Sequence, residues 1–225
     1  MTKITVIIAA AGKSKRMSGK CNKVLLTLRD KTVIEYSLAV FSKTALVNNI
    51  IIATASDDIA KITAIASAYP KVSKVIVGGT TRSQSVMAAL AAIDKDCDYI
   101  AVHDAARPLL SDNDLLAVIA AAKSGAAILA TPLVDTIKEI SADTIINTPD
   151  RNSLVAAQTP QIFAKEILIA AYRQINNQQY TDDAAVVETA GFPVKVIIAK
   201  DANFKITTSL DLALAELILK SREVK

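Results

Sequence analysis

The sequence predicts an α/β fold, a mostly parallel sheet with helices on both faces. Three observations carry that expectation. Short apolar runs alternate with longer amphipathic stretches, the short runs are continuous in Val and Ile, and glycine is spent mainly where runs end. Parallel strands covered on both faces read as unbroken apolar runs, because neither side meets water.

The elements follow in chain order. Ile4 to Ala9 is the first strand. It is too short for a signal peptide, and its basic cluster follows rather than precedes it. Val33 to Phe41 is a helix, Ile50 to Thr54 a strand, Asp57 to Ala68 a helix and Lys74 to Val77 a strand. Val86, Leu90 and Ile93 recur at helical spacing, which predicts a helix over Ser83 to Ile93 with Ser83 as its N-cap. Tyr99 to His103 is a strand, followed by a helix over Ser111 to Lys123. Gly125 then stands where a left-handed cap residue is expected. Ala126 to Thr131 is a strand. Two Thr/Ile-rich pieces between Asp135 and Pro149 flank Ser141-Ala142-Asp143 and read as an inserted β-hairpin. An isolated hairpin is only marginally stable, so it is expected to pack on another subunit. Helices over Lys165 to Asn176 and Asp182 to Ala190, a strand over Val194 to Ala199 and a helix over Leu210 to Ser221 complete the chain. The result is one Rossmann-like domain over residues 1–225, with an arm at about 134–151.

Charge narrows the ligand class. The chain has 26 basic and 22 acidic side chains, yet no Asp or Glu precedes Asp30, while Lys3, Lys13, Lys15, Arg16, Lys20, Lys23 and Arg29 do. Without those seven, 19 basic side chains face 22 acidic ones, so the excess is local. A nucleic-acid binder usually carries a broad basic stripe and aromatic platforms, but aromatics are 4% here and Trp is absent. A compact anion held by the N-terminal segment fits better. Cys21 and Cys97 lack metal-ligand spacing, and the single His103 precludes a multi-histidine metal centre. No apolar run is long enough to cross a bilayer. A cytoplasmic protein with reduced thiols is expected, binding neither membrane nor nucleic acid.

Six glycines occur, four of them after strands: Gly12, Gly19, Gly78 and Gly79. Ligands of open α/β sheets bind outside the carboxyl ends of the strands. Gly78-Gly79 also reads as a simple tight turn. The segment Ala9-Ala10-Ala11-Gly12-Lys13-Ser14-Lys15-Arg16-Met17 leaves room for a ligand and surrounds it with cations, but it matches neither a P-loop nor a dinucleotide fingerprint. Arg16 and Lys23, in a stretch of sequence free of acidic residues, read as phosphate contacts; Lys13 and Lys20 read as solvated. In His103-Asp104-Ala105-Ala106-Arg107-Pro108, Asp104 is placed to hold Mg²⁺, since magnesium takes one or two carboxylates plus ligand phosphates. An Asp104–Arg107 pair is the alternative. His103 reads as a structural hydrogen-bonding residue. Further polar strings are Arg151-Asn152-Ser153, Gln158-Thr159-Pro160-Gln161-Ile162-Phe163, Thr181-Asp182-Asp183 and Asn203-Phe204-Lys205-Ile206-Thr207.

Together these strings resemble the cytidylyltransferases that make 4-diphosphocytidyl-2-C-methylerythritol in the non-mevalonate isoprenoid pathway. The resemblance spans essentially the whole chain, and the most selective motifs are His103 to Pro108 and Arg151-Asn152 followed by Thr159-Pro160-Gln161. It implies CTP as co-substrate, with Ala10, Ala11 and Gly12 along the nucleotide and Arg16 and Lys23 on its phosphates. Gly79 and Ser85 would recognise cytosine, and Ala105 would contact ribose. Asp104 matches the metal and substrate-phosphate position. Arg107, Thr136, Arg151, Thr159, Thr181 and Lys205 match residues holding the methylerythritol phosphate. The resemblance also implies a homodimer in which Arg151 and Thr159 reach the neighbouring subunit's site.

The chain departs from the family's pattern in places. Ala9 and Ser14 replace a usual proline and glycine, Asn22-Lys23-Val24-Leu25 keeps only the lysine of Pro-Lys-Gln-Tyr, and Thr80 replaces a frequent acid. The implied reaction is attack by a polyol phosphate on the α-phosphorus of CTP, with Arg16, Lys23 and Lys205 as the catalytic cations. A phosphate monoester needs no general base, which suits a chain with one histidine. Ribitol 5-phosphate is the alternative acceptor. A non-catalytic nucleotide-binding protein would lack a reason for every cation, and a dinucleotide oxidoreductase lacks the glycine spacing.

Overall fold

A computed structural model of the protein describes residues 2–12, 22–94, 96–175 and 180–223. Its seven-stranded sheet is built from β1 (Ile4–Ala10), β4 (Val47–Thr54), β5 (Val72–Val77), β6 (Tyr99–Asp104), β7 (Ala126–Pro132), β10 (Val155–Ala164) and β11 (Lys195–Ile198). The spatial order is β11-β7-β10-β6-β1-β4-β5. All neighbours run parallel except β10, which is antiparallel to both β6 and β7. From β1 the chain moves through β4 to β5 on one side, then crosses to β6 on the other. The order therefore reverses between β1 and β6, and a crevice opens outside their carboxyl ends.

Alternation along the strands divides two apolar layers. Val6, Ile8, Ile50 and Ile52 pack under α1 (Val33–Lys43), α2 (Ile59–Ala66) and α4 (Asp112–Ala122). Ile7, Ile51, Ile100 and Val102 pack under α3 (Arg82–Ala91), α5 (Lys165–Arg173) and α6 (Asp183–Thr189). A third cluster, including Leu28, Val33, Ile206 and Ala215, seats α7 (Ser209–Glu223) at the sheet's end. Helices thus cover both faces, as the apolar runs required.

The differences from the sequence reading have local causes. The sequence gives no sign of β10, because its centre is the polar run Gln158-Thr159-Pro160-Gln161. The β7–β10 pairing skips from Ala157 to Gln161, so those side chains are released from an ordinary ladder and turn to polar partners. α3 starts at Arg82, not after Ser83. Thr81 is the N-cap, accepting the Gln84 N–H at 3.2 Å, and the Gln84 side chain returns to the Thr81 N–H to close a capping box. A short ribbon, β2 (Thr27–Leu28) and β3 (Lys31–Thr32), turns at Arg29 with φ 59°. Gly125 has φ 120°, the left-handed conformation expected of it. The inserted hairpin is present: β8 (Glu139–Ser141) pairs with β9 (Thr144–Asn147) around Ala142 at φ 53°. Every residue of these two strands is exposed.

Candidate active site

Two adjoining cavities open at the β1/β6 crevice. The larger, of about 630 Å³, is lined by the end of β1 (Ala9 to Gly12), by Asn22 to Val24, and by Gly79 to Arg82, Ser85, Asp104, Ala106, Lys205 and Thr207. The smaller, of about 210 Å³, is lined by Arg107, Gln158, Thr159, Gln161, Thr181 and Asp182, among others. Arg82, Asp104 and Lys205 belong to both walls.

The large cavity is shaped by backbone. Asn22, a departure from the family's pattern, ties the returning loop to the strand end. Its amide donates to the Ala10 carbonyl at 3.0 Å and to Asp58 at 2.8 Å, while its oxygen accepts the Val24 N–H at 3.3 Å. That arrangement sets Lys23 at the head of a single 3₁₀ turn, Lys23–Leu25, on the cavity wall. Opposite it, Gly78 and Gly79 are close-approach glycines rather than a positive-φ turn. A Cβ on Gly79 would overlap Gln84 Cβ, and one on Gly78 would meet Ser85 Oγ at 2.7 Å. Gly79 N–H donates to Ser85 Oγ at 3.1 Å, and that hydroxyl donates to the Thr81 carbonyl at 2.9 Å.

Asp104 is the junction. Its Oδ1 faces Arg82 Nε at 3.3 Å, and its Oδ2 faces Lys205 Nζ at 2.9 Å and Arg107 Nε at 3.7 Å. Burial alone would raise its carboxyl pKa, but Arg82, Lys205 and Arg107 outweigh that and hold it well below the usual carboxylate range. For Arg107 burial prevails, pushing its pKa down against the pull of Asp104. The structure thus gives Asp104 a different occupation from the expected metal ligation. Both oxygens are taken by cations. As it stands, Asp104 does not fit a magnesium-ligand role.

The small cavity is ordered by the polar centre of β10. Thr159 Oγ1 accepts the Asp104 N–H at 3.0 Å and lies 3.2 Å from His103 Nδ1. His103 Nε2 faces the Arg107 carbonyl at 3.3 Å, which fits an Nε2–H tautomer accepting the threonine proton at Nδ1. Burial pushes this histidine down to about 3, so it is neutral, fully enclosed and structural, as read from the sequence. The 203–207 segment is fastened on both sides. Asn203 donates to the Thr159 carbonyl at 2.9 Å, Arg107 donates to the Asn203 carbonyl at 2.8 Å, and Ile206 N–H donates to the Ala106 carbonyl at 2.8 Å. Asp211 then gathers Thr207 N–H, Thr207 Oγ1 and Thr208 N–H on one oxygen. Lys205 is left projecting to the junction.

The crevice therefore gathers Ala10, Ala11, Gly12, Lys23, Gly79, Ser85, Asp104, Arg107, Thr159, Thr181 and Lys205. Arg16 lies outside the described residues. Two expectations need correction. Ala105 is fully buried, its N–H on the Ala9 carbonyl, and Ala106 stands in the cavity wall in its place. Thr159 does not reach out to a neighbouring subunit, because the internal strand β10 buries it in its own chain's site. Thr136 and Arg151 line neither cavity; both are exposed, and Arg151 Nη1 donates to the Val134 carbonyl at the base of the arm. Sequence reasoning missed Arg82, whose Nη1 also meets the fully buried Asp183 at 2.7 Å. A signal existed. An arginine at the first position of a helix opposes the helix dipole and calls for a carboxylate partner.

The family model described as 2-C-methyl-D-erythritol 4-phosphate cytidylyltransferase matches residues 4–221. A relative of that name from Symbiobacterium thermophilum is 42% identical over 221 residues, covering 96% of this chain and 93% of its own. Another, from Dehalococcoides mccartyi, is 40% identical and covers 97% of this chain and 96% of its own. The crystal structure of 4-diphosphocytidyl-2C-methyl-D-erythritol synthase from Anaerococcus prevotii superposes with a TM-score of 0.86 at 31% identity, over 97% of this chain and 99% of that one. With sequence, fold and strand-end crevice in agreement, this chain belongs to the 2-C-methyl-D-erythritol 4-phosphate cytidylyltransferase family.

Proposed function

We propose that this protein transfers CMP from CTP to 2-C-methyl-D-erythritol 4-phosphate and releases pyrophosphate. One observation carries the reading: a nucleotide-sized cavity and a smaller polar one share the wall Arg82–Asp104–Lys205. In it the larger cavity holds CTP and the smaller the acceptor, so the two phosphates meet at that wall.

The substrate phosphate oxygen attacks the α-phosphorus. A P–O bond forms there, the bond to the β-phosphate oxygen breaks, and pyrophosphate leaves with that electron pair. The nucleophile is already anionic near neutral pH, so no side chain need remove a proton. Catalysis rests on positioning and on cations that meet developing charge. Lys23, with Arg16, neutralises the triphosphate; Lys205 and Arg107 hold the acceptor phosphate, with Thr159 and Thr181 about it. Gly79 and Ser85 border the base, and the close approach of α3 leaves the backbone of Gly79 to meet it. A magnesium requirement is expected to reside with the phosphate oxygens of CTP, which offer ligands that the engaged Asp104 does not.

In this reading the protein is a cytoplasmic homodimer. Thr136 and Arg151 complete the acceptor site of the partner, and the exposed Ile140, Ile145 and Ile146 of the arm are covered by it. No helix among the described residues is long and apolar enough to cross a membrane.

The test is pyrophosphate release from CTP, ATP, GTP and UTP, each with methylerythritol phosphate and with ribitol 5-phosphate. Turnover with CTP and methylerythritol phosphate is expected. A preference for ribitol 5-phosphate would overturn the acceptor assignment, and binding of CTP without turnover on either acceptor would overturn the enzyme.

A further inference from the structure

Arg82, in the shared wall, is held by two carboxylates on different elements. Its Nε faces Asp104 at the end of β6, and its Nη1 faces Asp183 at the first turn of α6. Asp183 lines neither cavity, yet it is firmly placed. The Tyr172 hydroxyl of α5 donates to its Oδ1. The backbone N–H groups of Asp183 and Ala184 both donate to Gln161 Oε1 at 3.0 Å, and Gln161 Nε2 donates to Asp182 at 2.8 Å.

We propose that Arg82 is a positioning residue for the acceptor: Asp183 holds its guanidinium so that it fixes Asp104 and, through Asp104, the ammonium of Lys205. The inference rests on the reading of the smaller cavity as the acceptor site. The geometry explains why two carboxylates are needed. Asp104 alone faces three cations, and a fully mobile Arg82 would settle on it in competition with Lys205. With its Nη1 on Asp183 at 2.7 Å, Arg82 is left with a longer contact of 3.3 Å to Asp104 Oδ1, and Lys205 keeps the short contact of 2.9 Å to Oδ2. Burial disfavours the charge on Arg82, but Asp183 and Asp104 more than restore it, so the guanidinium stays charged at the wall. A lysine there is a point charge with one nitrogen, and it cannot span both carboxylates in the same plane.

The experiment uses the full chain. Calorimetry gives the CTP affinity, and steady-state kinetics gives KM for the polyol phosphate separately from kcat. Asp183→Asn is expected to raise the acceptor KM and lower kcat/KM about 10²-fold, while CTP binds as in wild type. Tyr172→Phe keeps the core's shape and should shift the acceptor KM the same way by less, which covers the chance that Asp183→Asn folds poorly. Arg82→Lys should fall between wild type and Arg82→Gln. Wild-type acceptor KM in both Asp183→Asn and Tyr172→Phe overturns the inference. So does a parallel loss of kcat and CTP binding at unchanged acceptor KM, the mark of a purely structural role. A wild-type enzyme without turnover on any polyol phosphate would instead defeat the acceptor reading itself, and the inference with it.

Discussion

The hydroxyl of Thr159 sits 3.0 Å from the backbone nitrogen of Asp104, joining the antiparallel strand β10 to the end of the parallel strand β6. The same oxygen faces His103, so one side chain satisfies both a backbone donor and a ring nitrogen at the acceptor wall. Thr159→Val keeps the volume but strands both groups. We expect a loss of about 1–3 kcal/mol in unfolding free energy, the cost of leaving buried polar groups unpaired. Urea unfolding measures it, and a midpoint equal to wild type would contradict it.

The enclosure of His103 fixes a pH dependence. Its folded pKa, about 3, lies below the ordinary value of 6.5, so between those limits the unfolded chain binds the extra proton. Stability attributable to this group is complete above about pH 6.5 and falls as pH drops towards 3. Asp104, also held low, adds to the acid side of the same trend. Thermal melts of wild type and His103→Gln across this window should differ in slope, wild type being the steeper. Identical slopes would exclude a neutral, buried ring.

Lys23 and Arg151 test whether one site draws on two chains. Lys23→Ala should lower turnover about 10²–10³-fold while the protein stays folded, the range for losing one oriented donor at a transition state. Arg151→Ala should raise the acceptor KM. Neither variant is fully active alone, but mixing them and allowing subunits to exchange should restore activity. In a mixed dimer, the site on the Arg151→Ala chain has its own Lys23 and the partner's intact arm. If Arg151 serves its own chain, mixing restores nothing.

Gly79→Ala probes the close approach of α3. The added methyl would overlap Gln84 Cβ, so the capping-box turn must shift. We expect a cost of about 1–3 kcal/mol, the usual penalty for overpacking, together with weaker CTP binding. Gly12→Ala, where nothing among the described residues lies within 4 Å of the new carbon, should leave stability unchanged. Equal melting temperatures for Gly79→Ala and wild type would show that α3 yields freely.

Local pattern made the parallel strands, their helices and the exposed hairpin legible, because burial on two faces writes itself as continuous Val/Ile runs and amphipathic spacing. The Asp104-to-Arg107 string was legible for the same reason: it punctuates a strand end. β10 was not, since polar residues in a central strand are stable only with partners supplied from elsewhere, here Asp104, Asn203 and Asp182. The duty of Asp104 was decided in the same way. By itself it read as a metal ligand, but the fold delivers Arg82 from α3 and Lys205 from the segment before α7 to its two oxygens. The sequence determined the layers and most of the groups that meet at the crevice. Only the tertiary structure decided which of those groups neutralise one another, because charge pairing depends on distances of a few ångströms between residues up to 101 positions apart.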